Sequence, residues 1–186
     1  MTERPPQKGF EAIPVLTSRF RLDGGSMFGI VPRALWEQKA PADGRNRIQL
    51  CVNTLVVKTP GAVVLVEPGM GGKFDEKGRD IYALEEIDGA GALERAGVAP
   101  ADVDVVILTH LHLDHAGGAT RRDPAGGLEV VFDRATFVVQ DAEWDAAGAP
   151  KPFERGSYRP DDFQPLASGG RLSRVRGDVE VVPGVG

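Results

Sequence analysis

The chain has 186 residues, 41% hydrophobic and 26% charged, enough material for one globular domain with one core. Its formal net charge of -5 supplies no basic field for a polyanion, which argues against a nucleic-acid partner. The first residues lack the apolar centre of a secretory signal and no apolar run reaches membrane-spanning length, so no membrane partner is expected and the cytoplasm is the default location.

After a polar, proline-containing lead, Ile13 to Leu22 mixes Val, Leu, Thr, Phe and Arg in a manner that suits a strand ending at Asp23-Gly24-Gly25. Ser26 to Pro32 is apolar but broken by Gly and Pro, and reads as a loop that is either a small core cluster or a pocket wall. Arg33 to Lys39 allows one or two helical turns. Leu50 to Thr59 alternates, with Val52, Thr54, Val56 and Lys58 opposing Cys51, Leu55 and Val57. Pro60-Gly61 is a turn signal and Ala62 to Val66 a second strand, so a hairpin is predicted. Cys51, the single cysteine, reads as a small buried hydrophobe with no disulfide partner in the chain.

Lys73 to Asp80 is charged and reads as a loop. Tyr82 to Gly97 carries Leu84, Ile87, Leu93 and Ala96 on a roughly helical spacing, which Gly89 and Gly91 allow to split into two short helices; Gly97 suits a C-terminal cap. Pro100-Ala101-Asp102 then leads into Val103 to Leu108, whose β-branched and aliphatic residues predict a buried strand.

All three histidines follow at once, in Thr109-His110-Leu111-His112-Leu113-Asp114-His115. An extended backbone through His110 and His112 places both imidazoles on one side while Leu111 and Leu113 turn inward. Asp114 and His115 break the alternation, so the chain bends there, and Asp114 suits an N-cap for a short helix from Ala116. A hydrogen-bonded histidine or a capping aspartate accounts for any one of these residues. It does not account for three histidines and an aspartate at i, i+2, i+4 and i+5 in a chain with no other histidine. Neutral imidazole and carboxylate are the usual ligands of zinc and related divalent ions, so the joint reading is metal binding at His110, His112, Asp114 and His115.

Beyond the motif, Arg121-Arg122 reads as a solvated loop. Thr136 to Gln140 is strand-like, and Asp141 begins a short helix through Glu143, Trp144 and Ala147. Lys151 to Pro165, with Phe153, Tyr158 and Phe163 as isolated aromatics, reads as a long connecting loop or lid, in which packing is the favoured role of Tyr158 and a hydrogen bond to a bound substrate the alternative. Leu172 to Val175 and Val179 to Val182 read as a pair of strands.

The motif and its strand resemble the His-x-His-x-Asp-His signature of the metallo-β-lactamase superfamily. The resemblance implies an α/β (α+β) fold, the first half of an αββα sandwich with a mostly mixed sheet and flanking helices. It also implies two divalent metals, zinc foremost, with His110 and His112 helping to hold one and Asp114 and His115 the other. Asp114 is then the catalytic residue that orients the nucleophile or passes a proton. A metal-activated water would attack a small-molecule ester, lactone or related substrate. Gly24-Gly25-Ser26-Met27-Phe28-Gly29, with Trp36 and Asn46-Arg47-Ile48, resembles the N-terminal segment of lactonase-like members, which makes Met27 and Phe28 substrate-binding candidates.

Where the superfamily commonly carries Asp-x-Gly, with the aspartate supporting the metal site, this chain has Glu67-Pro68-Gly69, one methylene longer. The superfamily's third histidine, bridging aspartate and further histidine come from later segments, whereas no histidine follows His115. Residues 181–185, Val-Val-Pro-Gly-Val, resemble the strand that leads to the third ligand. The expectation is therefore a single incomplete domain over residues 1–186, with an apolar sheet face uncovered and little activity alone. The alternative is a truncated, catalytically inactive half-domain that acts only in binding; a mononuclear iron oxidoreductase of the same superfamily is a third reading. An oligomer is left open.

Overall fold

Alternating and continuous apolar runs drive most of the sheet, and the chain assembles it in an order that leaves the motif at its centre. The computed structural model describes residues 9–85 and 89–186. Its strands are β1 (Glu11–Asp23), β2 (Arg47–Lys58), β3 (Val63–Val66), β4 (Val105–Leu108), β5 (Thr120–Arg122), β6 (Leu128–Val130), β7 (Thr136–Gln140) and β8 (Leu172–Val175). Six form one mixed sheet in the order β1-β2-β3-β4-β7-β8. The first three pair antiparallel, and β3, β4, β7 and β8 run parallel. The helices are α1 (Gly24–Phe28), α2 (Arg33–Trp36), α3 (Glu76–Tyr82), α4 (Gly89–Arg95), α5 (Leu113–Ala116), α6 (Asp141–Gly148) and α7 (Pro160–Phe163). The mixed sheet with flanking helices is the architecture anticipated from the motif. No helix among the described residues is long and apolar enough to cross a membrane.

One sheet face carries Val56, Leu65, Val106, Leu108, Phe137 and Val139 into the main core, where Leu93, Phe163 and Leu166 meet them. Alternation sends Val64, Val105 and Val138 to the other face. That face was expected bare, but Val181, Val182 and Val185 pack onto it, and Val64 is fully buried. Residues 179–182 are accordingly not a strand. Pro183-Gly184 turns the segment back on itself and bridges Val182 to Val185.

Other expectations fail for local reasons. Cys51 is exposed, because Val52, Thr54 and Val56 take the inward positions of β2. The stretch read as a loop from Lys73 holds α3, whose N-terminus is capped by the Asp75 carboxylate accepting from the Gly78 amide at 2.7 Å. Likewise Asp23 accepts from Ser26 N at 2.8 Å and turns the N-terminal loop into α1. Arg121 and Arg122 lie in the β5–β6 hairpin rather than a loop, still solvated, paired with Glu129 and Asp161. Within the expected long loop, α7 starts on Pro160, and Phe163 is buried edge-on to Trp144. Ile87 lies outside the described residues.

Candidate metal centre

Parallel pairing of β3 and β4 brings their carboxyl ends together, and the Glu67 amide donates to Ile107 O at 3.0 Å. Two loops therefore leave the sheet side by side, one bearing Glu67 and the other the histidines. Past Leu108 the chain bends at Thr109, and from there Leu111 and Leu113 are buried while His110 and His112 are half-buried. The helix begins three residues earlier than expected. His112 is the cap of α5, with its carbonyl accepting from His115 N and Ala116 N at 3.0 and 2.9 Å. Asp114 sits in the first turn instead of capping it, so its carboxylate is available to the site.

The imidazoles converge. Ring centroids lie 4.7 Å apart for His110 and His112 and 3.9 Å for His110 and His115. His115 Nε2 is 3.4 Å from Asp114 Oδ2, while His115 Nδ1 pairs with Glu67 Oε2. The other Glu67 oxygen accepts from Thr109 N at 2.6 Å. Ligand-capable atoms of Glu67, His110 and His115 all lie within 4.8 Å of one another. Thr109 Oγ1 and His110 Nδ1 are 3.0 Å apart, which leaves Nε2 of His110 for the cavity.

Burial, reinforced by the charges of His115 and His112, holds the His110 pKa below its ordinary value, so this ring is neutral and basic toward a cation. Burial pushes His115 in the same direction, but hydrogen bonds to Asp114 and Glu67 outweigh it and raise its pKa to about 9. Burial would raise Asp114; the hydrogen bond and charge of His115 outweigh it, and its pKa is lowered. A divalent cation suits the group of Glu67, His110 and His115, whose ligand-capable atoms lie together, and on binding it would displace the extra proton that His115 carries.

Two residues that sequence reasoning did not place at the site support it. Glu143 of α6 accepts from Leu111 N at 2.8 Å, fixing the backbone between the two motif histidines. Tyr158 forms a bridge with His112 and sets its ring 4.6 Å from the imidazole, edge to face. Its phenol is pushed up to about 12, by burial first and by Glu143 next. Tyr158 does pack, but against a candidate ligand. Replacing Glu143 with Ala strands the Leu111 amide and is expected to cost about 1–3 kcal/mol in urea unfolding; an unchanged midpoint would mean the amide finds another partner.

Met27 lines a cavity of about 680 Å³ together with His110, His112, Asp114, His115 and Tyr82. Phe28 does not line it. Its ring stacks on Trp36, centroids 4.9 Å apart, because α1 turns it away from the opening. Glu67, which the sequence left open between a support for the metal site and a carboxylate at a loop edge, contacts His115 and Thr109.

A family model for the metallo-beta-lactamase superfamily matches residues 49–185. The chain is 38% identical over 87 residues to an N-acyl homoserine lactonase, AttM, of Azorhizobium caulinodans, covering 45% of this chain and 29% of that one. It is 28% identical over 152 residues to an N-acyl homoserine lactonase of Bacillus cereus, covering 75% and 53% respectively. A probable metal-dependent hydrolase from Staphylococcus aureus superposes with a TM-score of 0.85 at 29% identity, over 96% of this chain and 64% of that one. The chain thus spans about half or less of the length of these curated relatives.

Proposed function

Since the chain belongs to the metallo-β-lactamase superfamily, we propose that it carries the motif half of a metal-dependent hydrolase that opens small lactones, with N-acyl homoserine lactones the first substrates to try. The lactonase relatives support that substrate class. The observation that carries the reading is the convergence of His110, His112, Asp114 and His115 on one cavity.

His110 and His112 would hold one divalent cation, Asp114 and His115 a second, with zinc favoured by the donor set. When bound, such cations lower the pKa of water and polarise a carbonyl. The chain's own residues do the rest. Asp114, partly exposed toward the cavity, accepts a hydrogen bond from the attacking water and can pass its proton on to the departing ring oxygen. Water adds to the lactone carbonyl carbon, the ring C–O bond breaks, and the proton ends on the new hydroxyl, giving a hydroxy acid. Glu67 holds the tautomer and orientation of His115, and the pair of Thr109 with His110 does the same on the other side. Met27 offers the substrate an apolar wall. The chain spans about half or less of its curated lactonase relatives, so activity is proposed for the whole protein and not for these residues alone.

Zinc at about 100 times its dissociation constant should stabilise the fold by roughly 2.7 kcal/mol, raising Tm by roughly 5–10 °C for a chain of this size, with a chelator reversing the shift. Metal analysis and a lactone panel followed by acid release test the chemistry. A chain that takes up no metal, in any form of the protein, defeats the proposal.

A further inference from the structure

One buried charge pair lies behind the metal centre. Lys73 is 2% exposed and Asp162 fully buried, with Nζ 3.0 Å from Oδ1. The same ammonium donates to Gly117 O at 2.5 Å and Thr120 O at 2.7 Å, with the Asp162 carboxylate beside it as counter-charge. Asp162 is delivered by α7, and Arg159 just before that helix lies over the Phe74 ring at 4.1 Å and donates to Lys73 O at 2.7 Å.

Stability alone does not favour such a pair. Taking both ions out of water costs several kcal/mol each, and well-packed apolar replacements are often neutral or better. What the pair does is local. Gly117 lies two residues after His115, and the loop from Glu67 to Lys73 runs along the turn from His115 to Thr120. The two are tied by Gly69 N to His115 O at 3.1 Å and Gly118 N to Gly69 O at 2.7 Å. Lys73 adds a side-chain tie at the far end, and the Glu67–His115 contact lies at the near end.

We propose that Lys73, held by Asp162, is a positioning residue for His115: its bond to the Gly117 carbonyl fixes the turn against the Glu67 loop and so sets the geometry at which Asp114 and His115 receive a cation. The proposal rests on the metal reading above. Loss of a supporting interaction of this kind costs about tenfold to a hundredfold in metal affinity.

The test uses Lys73→Met/Asp162→Leu, which removes both charges together and leaves neither uncompensated, and Asp162→Asn, which keeps Lys73 on Gly117 O. Zinc affinity is measured by competition with a chelating dye, and the metal-free imidazoles are followed by nitrogen-15 NMR. In the double variant the His115 ring resonances should move while those of His110 stay, and zinc affinity should fall at least tenfold with the fold intact by circular dichroism. Asp162→Asn should shift both readouts in the same direction by less. If the parent binds zinc and both variants match it in affinity and in His115 resonances, Lys73 is structural only and this proposal falls alone. A parent that binds no zinc overturns the metal reading and this inference together.

Discussion

Gly118→Ala is expected to destabilise the chain by about 2–4 kcal/mol and to abolish tight metal uptake. A Cβ at Gly118 would sit 2.1 Å from Pro68 O and 2.8 Å from Pro68 C, both backbone atoms with no rotamer to yield. The approach is not incidental, since Gly118 N donates to Gly69 O at 2.7 Å. Relief requires the two loops to part. That breaks the Gly118–Gly69 bond and draws Glu67 away from His115, so stability and metal binding should fall together. A methyl added at Gly148, at the end of α6, would meet nothing within 4 Å, so Gly148→Ala serves as the control. Urea unfolding and zinc titration of both variants decide the matter. A Gly118→Ala chain that unfolds like Gly148→Ala would show that the close approach does not exist in solution.

Much of this arrangement is legible in the sequence because it is local. The run ending at Leu108 is a strand because its side chains are aliphatic on both faces, and the period of two places His110 and His112 together without any knowledge of the rest of the fold. Hairpin pairing of β2 with β3 follows from Pro60-Gly61 between two apolar runs. The pattern misleads where a single polar side chain decides the backbone. Asp75 and Asp23 each cap a helix inside a stretch whose composition reads as loop.

It also misleads where partners are far apart in the chain. Glu143 reaches Leu111 across 32 residues, and nothing in the α6 segment marks that glutamate as different from its neighbours. Asp114 reads as a cap because an Asp before Ala-Gly-Gly suits one. Here the amide of Leu113 is taken by Ser157 O at 2.8 Å and the His112 carbonyl opens the helix, so the cap shifts by two residues. The same long-range packing separates Met27 from Phe28, adjacent in sequence but turned to different surfaces by α1.

Glu67→Gln is expected to lower zinc affinity about tenfold to a hundredfold while costing the fold only about 1–2 kcal/mol. Both carboxylate oxygens are committed, one to Thr109 N and the other to His115 Nδ1. An amide has a single oxygen to offer. Whichever way it turns, its NH₂ faces either the Thr109 amide or the His115 N–H, donor against donor, and the negative charge that helps keep His115 Nδ1 protonated is gone. Glu67→Asp separates reach from charge. Glu67 has φ 61°, in the left-handed region that aspartate tolerates better than glutamate. The shorter acid should therefore leave stability level or slightly higher, yet it cannot span both partners, and zinc affinity should still fall. Calorimetric zinc titration beside urea unfolding separates these effects. A Glu67→Gln chain with the parent's affinity would reduce Glu67 to a carboxylate at the edge of a loop. Loss of affinity in both variants, with stability moving in opposite directions, would mean that the longer acid is kept at a strained position for its reach to the histidine.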